Sequence, residues 1–255
     1  MIVQKDHYRN LMLKGMRADG RKPDEYRKID VEVNPIYKAE GSARVRIGET
    51  DVIAGVKIDI GTPFPDKLDE GILMVNAEFS PIASPDFEPG PPREEAIELA
   101  RVIDRGIRES KTIDGKKLCI EKGEKVWMVM VDVHIINHDG NLIDAAGLAS
   151  IVALHNAKMP EYDGEKVIYD KKVKKLPVNY KPVPVSLNKM GDHLFVDACI
   201  EEEEVAEARL TVTTKDDGNI VAIQKGGPEP LSAEEIEKAF EIAGRISKDL
   251  RKLVK

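Results

Sequence analysis

Between residues 28 and 79, apolar and polar positions alternate in short runs. KIDVEVN (28–34), SARVRIG (42–48), DVIAGVKIDI (51–60) and GILMVNAEF (71–79) are rich in Val and Ile and are set apart by Gly, Asn and Pro. A two-residue period between turn residues predicts half-buried strands, here building a mainly antiparallel sheet. Ahead of them, residues 5–17 read as a short amphipathic helix that the polar, turn-prone RADGRKPDEYR stretch cannot continue. Pro81, Pro85, Pro89, Pro91 and Pro92 make 81–92 an extended loop, since each proline removes a donor and restricts its predecessor.

The period then changes to 3.6 residues. From Arg93 to Ser110 the residues Ala96, Ile97, Leu99, Ala100, Ile103 and Ile107 fall on one helical face. KVWMVMVDVHIIN (125–137) predicts a long strand, and DAAGLASIVALHNA (144–157) a helix of small residues suited to close packing on a sheet. Lys, Pro and Tyr mark 161–185 as a linker or crossover, after which HLFVDACI, EARLTVTT and NIVAIQK read as strands. Ser232 and Glu235 form a capping box before a long charged helix. The pattern divides the chain into an N-terminal helix and arm (1–27), a first α+β unit (28–160), the linker (161–185) and a second unit (186–255).

Length permits one or two domains in 255 residues. No apolar run approaches the roughly 20 residues of a membrane span, and the N-terminus lacks the apolar block of a secretory signal, so a cytoplasmic protein is expected. Cys119 and Cys199 stand far apart with no CxxC spacing, which predicts core thiols in place of a disulfide or metal site. The formal charge of −7 argues against a wholesale basic surface, so any contact with nucleic acid must be local.

Candidate chemistry concentrates on the helix at 93–110. Arg101, Arg105 and Arg108, spaced i, i+4, i+7, share one sector beside the apolar face. Guanidinium groups donate paired hydrogen bonds to phosphate, but the same stripe could simply pair with Glu98, Asp104 or Glu109. His134 and His138, near Asp132 and Asp139, invite a metal reading. Four residues along a strand are about 13 Å, too far for both to ligate one ion, so core and strand-end roles are expected. The run from Glu201 to Glu204 reads as a solvated turn. Gly226 and Gly227 before Pro228 have turn chemistry without a strand-to-helix phosphate motif.

Several blocks carry a family resemblance. RADGRKPDEYR (17–27), GSARVRIGETDVIAGVK (41–57), EGILMVNAEFSP (70–81), ELARVIDRGIRES (98–110) and DGNLIDAAGLASIVAL (139–154) resemble, in order and spacing, the RNase PH family. EPGPP followed by AIELARVIDRGIR is most similar to the non-catalytic RNase PH-like subunits of archaeal exosome rings. The resemblance implies an α+β RNase PH-like fold of two βα units. It also implies a hexameric ring with a catalytic RNase PH-like partner, cap subunits and single-stranded RNA.

Active members use inorganic phosphate to degrade RNA from its 3′ end. The matching positions here depart from that pattern: Glu94 and Glu95 stand for a paired-arginine element, whose sign they reverse. Asn141, Leu142 and Ile143 stand for a phosphate loop with hydroxyl and guanidinium, and Arg209 for the catalytic aspartate. Asp197 matches an upstream aspartate that cannot supply the missing functions alone. The expectation is a subunit that needs no cofactor of its own, phosphate being its partner's, and that lends Arg101 and Arg105, with Arg108 third, to the RNA path. Arg44 and Arg46 read as strand-edge residues with a weaker claim on RNA. Two alternatives stay open: an active phosphorolytic exonuclease working as a homo-oligomer, and a purely structural ring subunit.

Overall fold

The computed structural model describes residues 2–254. α1 (Ile2–Met12) and an extended arm lead into β1 (Ile29–Val33), β2 (Gly41–Ile47), β3 (Thr50–Gly61) and β4 (Ile72–Phe79). α2 (Glu94–Glu109), β5 (Cys119–Glu121), β6 (Lys125–Asn137) and α3 (Leu142–Asn156) complete the first unit. Its sheet runs β1-β2-β3-β6-β4, with β5 also paired to β6. All these pairs are antiparallel except β4 with β6, which is parallel.

A hairpin of β7 (Lys158–Tyr162) and β8 (Val167–Lys175) follows, then β9 (Val183–Met190), β10 (His193–Val196), α4 (Ile200–Val205), β11 (Ala208–Thr214), β12 (Ile220–Gly226) and α5 (Ala233–Arg251). The second sheet has the order β10-β9-β11-β12. The stretch 161–185, read from composition as a linker, is thus largely strand. Its lysines stay exposed on β8 while the backbone is paired, a state that composition alone does not distinguish from free chain. Nor is the carboxylate run a solvated turn: it forms most of α4, with Glu202 buried. Cys119 and Cys199 are half-buried and free, Cys199 standing at the head of α4, so neither is a core thiol.

α3 holds the two units together. Every residue from Ile143 to Leu154 is buried, as expected of a helix apolar on all sides. One flank packs on β2 and β3 through small residues, and the other meets β9. Gly147 permits that second contact, because a Cβ there would lie 2.4 Å from Pro184 Cγ and 2.8 Å from its Cδ. In the second unit Val185, Leu210 and Val212 pack against Ala239, Ala243 and Leu250 of α5. Ser232 caps α5 as the capping box requires: its side chain accepts from Glu235 N at 3.2 Å, while its own N–H donates to the Glu235 carboxylate at 2.7 Å.

Replacing Gly147 by Ala sets two effects against each other. Helix propensity gains up to about 1 kcal/mol, whereas overpacking against a proline ring costs about 1–3 kcal/mol. The ring cannot swing aside as a flexible side chain would. Gly147→Ala is therefore expected to melt a few degrees lower in a thermal scan, and a higher midpoint would contradict this packing.

Candidate functional site

The turn before α3, the loop around Asp197 and the helix α4 converge at the head of α3. Asp197 is fully buried and left-handed, at φ 46°. Its carboxylate accepts from Arg27 Nε (2.9 Å), Nη2 (2.8 Å) and backbone N (2.7 Å), from Arg21 Nη1 (2.9 Å) and from Asn141 Nδ2 (2.8 Å). Burial alone would raise this carboxyl, but the Arg27 guanidinium and the hydrogen bonds hold it below the usual range. Arg27 also reaches Asp139, and Arg17 donates to the buried Glu202 at 2.9 Å. The aspartate that matches the family is therefore committed to holding the arm and both units together.

The head of α3 already has an acceptor supplied by the chain. Asn141, left-handed at φ 52°, donates its backbone N–H to Glu203 Oε1 at 2.9 Å. Gly140 lets the loop come this close, since a Cβ would stand 2.4 Å from Ala198 O. Burial pushes the Glu203 carboxyl up to about 7, opposed by the Asn141 hydrogen bond and the Arg209 guanidinium. Beside it, burial raises Asp144 to about 6, although Tyr26 Oη (2.5 Å) and Ser186 N (3.0 Å) donate to it.

Glu95, Asn141, Leu142, Ile143 and Arg209 line one pocket of about 240 Å³, together with Glu98 and Glu203. Five of the six positions marked as degenerate thus share one place. Glu94 does not: it lies on the other flank of α2 and lines a separate groove, so its charge is not part of this pocket. Both glutamates also sit in the first turn of α2, where the helix dipole favours acids. Arg209 donates to Glu98 at 2.6 Å. Glu95, Glu98 and the raised carboxyl of Glu203 line the pocket with this one guanidinium, which leaves no net positive charge to offer an incoming phosphate.

The separate groove, about 670 Å³, lies between α2, β4 and β12 and is lined by Arg101, Arg105 and Arg108 with Ile97 and Ile223. Arg108 pairs with Asp104 at 2.7 Å and donates to Leu73 O at 3.1 Å; the hydrogen bond to Asp104 raises its pKa despite partial burial. Arg101 and Arg105 are exposed, and neither makes a hydrogen bond or ion pair with any described residue. Intrahelical pairing thus accounts for the third arginine and leaves the first two free.

The other candidates lie apart. Arg44 pairs with Asp51 at 2.6 Å, while Arg46 is exposed. His134 faces Glu78 at 3.4 Å, and His138 stacks on Phe87. No group of three or more His, Cys, Asp or Glu placed to hold a metal occurs among the described residues. Sequence reasoning placed Glu98 only as a partner for the arginine stripe and Glu203 only in a solvated run, because their partners lie more than 60 positions away along the chain. It also gave no role to Arg17, Arg21 and Arg27, although all three lie in the RADGRKPDEYR block.

Comparison with known proteins agrees with this geometry. Residues 25–160 match the model of the 3′ exoribonuclease family, domain 1, and residues 181–246 that of domain 2. The exosome complex component Rrp42 of Methanosarcina mazei is 49% identical over 254 residues, covering 98% of this chain and 93% of the relative. An Archaeoglobus fulgidus exosome with RNA bound to the active site contains a chain that superposes with a TM-score of 0.93 at 45% identity, covering 99% of this chain and 98% of that one. An archaeal exosome core gives a TM-score of 0.87 at 41% identity, with 99% and 96% covered. The chain belongs to the RNase PH family of 3′ exoribonucleases, within the branch formed by the archaeal exosome components that it matches from end to end.

Proposed function

We propose that this chain is the non-catalytic subunit of an archaeal exosome ring, where it positions RNA for 3′-to-5′ phosphorolysis by a catalytic RNase PH-like partner. The reading includes a cytoplasmic hexamer of three heterodimers and cap subunits that deliver single-stranded RNA. The observation that carries it is the contrast between the two sites. Arg209 is held by Glu98 inside an acid-lined pocket, whereas on α2 Arg101 and Arg105 line an open groove with no partner among the described residues. Arg101 and Arg105 hold phosphates of the RNA tail, with Arg108, already shared with Asp104, as a weaker third contact. Grip of this kind carries no direct base information, so it is indifferent to sequence. The partner binds inorganic phosphate and makes the new bond to phosphorus as the 3′ oxygen departs.

The chain alone, given labelled RNA and phosphate, is expected to release no nucleoside diphosphate, and the ring co-assembled with the catalytic partner to release it. Nucleoside diphosphate from the lone chain would establish the homo-oligomeric enzyme instead. In the ring, Arg101→Glu with Arg105→Glu should weaken RNA binding by at least about tenfold and flatten the salt dependence by roughly 1.4 in log-log slope. Unchanged affinity and slope would leave only a structural role.

Glu203 gives the inactive pocket a pH signature. Its folded value of about 7 lies above the ordinary 4.5, so the folded chain keeps a proton that the unfolded chain loses. The stability this confers is complete below about pH 4.5 and is lost as pH rises through 7. Asp144 adds the same sign between 3.8 and about 6. Glu203→Gln keeps an acceptor for the Asn141 N–H and removes the charge. It should melt roughly 3–8 °C higher than wild type at pH 8 and about equally at pH 4.5. An equal difference at both pH values would refute the buried, proton-holding carboxyl.

A further inference from the structure

The β7–β8 hairpin is a strongly charged surface that the α2 groove does not use. Residues 166–175 hold five lysines against one acid, Asp170, in a chain whose net charge is −7. The whole run Tyr169–Lys175 is exposed, and among the described residues β8 pairs only with β7. Two of the hairpin's cations are spoken for: Lys172 donates to Ala39 O at 2.7 Å and Lys171 reaches Glu161 at 3.2 Å. Lys158, Lys174 and Lys175 have exposed side chains with no hydrogen bond or ion pair to any described residue.

The register makes this costly. Lys158 stands directly opposite Lys175 in the antiparallel pair, an arrangement of like charges that destabilises a two-stranded ribbon. Asp170 lies five positions along β8 from Lys175, inside the second register shift, and Glu161 is already paired with Lys171. A bound anion would relieve the repulsion. Tyr169, 42% exposed, adds an aromatic ring with Lys57 over it at 4.9 Å. The hairpin's root adjoins the end of α2, where Ile113 bridges Val178 and Asp114 N donates to Pro177 O at 3.0 Å.

We infer that the β7–β8 hairpin is a second RNA contact, in which Lys158, Lys174 and Lys175 hold backbone phosphates of a long RNA whose end lies in the α2 groove. An acidic protein segment is the less favoured occupant. Lysine is depleted from the cores of protein interfaces, whereas lysines beside an exposed ring suit a polyanion with stacking bases. The inference rests on the RNA-positioning reading above, and its test separates the two.

The assembled ring would be titrated with single-stranded RNAs of about 8 and about 40 nucleotides, the shorter being close to one local site. Lys158→Glu, Lys174→Glu and Lys175→Glu together should weaken the long RNA by at least about tenfold, with a salt slope lower by roughly 2. The short RNA should bind as before. A neutral Lys→Gln set at the same three positions should fall between, which excludes an effect of misfolding. Unchanged binding of the long RNA sinks the inference, as does a loss seen with poly-glutamate but not with RNA. Arg101→Glu with Arg105→Glu should weaken both lengths. If that variant binds both normally, the α2 reading fails while the hairpin result still stands or falls on its own.

Discussion

Everything at the head of α3 depends on one buried carboxylate. Asp197 has no access to water, so it must be neutralised and hydrogen-bonded where it lies. Arg27 and Arg21 come from the N-terminal arm, and Asn141 from the turn that starts α3, so one anion ties three distant stretches of chain. Arg27 extends the tie to Asp139, and Arg17 repeats the device on Glu202. Losing a partner would strand a charge in the interior, which typically costs about 3–5 kcal/mol. The arrangement fixes the spacing between the two βα units and hence the shape of the pocket between them.

The same residue type does opposite work a short distance away. Arg17, Arg21, Arg27 and Arg209 are each bound to carboxylates, and their charge is cancelled where it stands. Arg101 and Arg105 share α2 with five acids, of which Glu98 is occupied by Arg209 and Asp104 by Arg108. Each of these internal bonds removes an acid next to Arg101 that could otherwise have paired with it. A chain of net charge −7 can therefore present local positive charge without a basic surface overall.

Much of this was legible in the sequence, for reasons that can be named. Alternation marked β1 to β4 and β6 because each packs apolar residues on the core, and the 3.6-residue stripe marked α2. The small residues of 144–157 marked α3 as a helix suited to close packing on a sheet, and it is buried along its length. The degenerate positions were found through the family resemblance, and five of them share a pocket. The parallel pairing of β4 with β6 left no local trace, because it depends on α2 crossing the sheet between them. The hairpin was missed because β8 is lysine-rich and exposed, so it lacks a buried face to report. α4 was missed because six residues with four glutamates look solvated until Arg17 and Asn141 approach from elsewhere.

The inactive pocket is filled rather than merely stripped. An N–H at the head of a buried helix needs an acceptor, and a site that no longer takes a free anion must supply one from the chain. Glu203 does so at an electrostatic cost, visible in a carboxyl raised to about 7. Arg209 offsets part of that cost and is itself steadied by Glu98 across the pocket. Restoring only the hydroxyl and guanidinium of an active phosphate loop would leave Glu203 in the seat, so an external phosphate would still have to displace a tethered carboxylate. The tether gives that carboxylate a high effective concentration at the head of α3, and a dilute free anion competes poorly against it. On the proposed function, the loss of phosphate binding is a property of the internal bonds as much as of the residues that are absent.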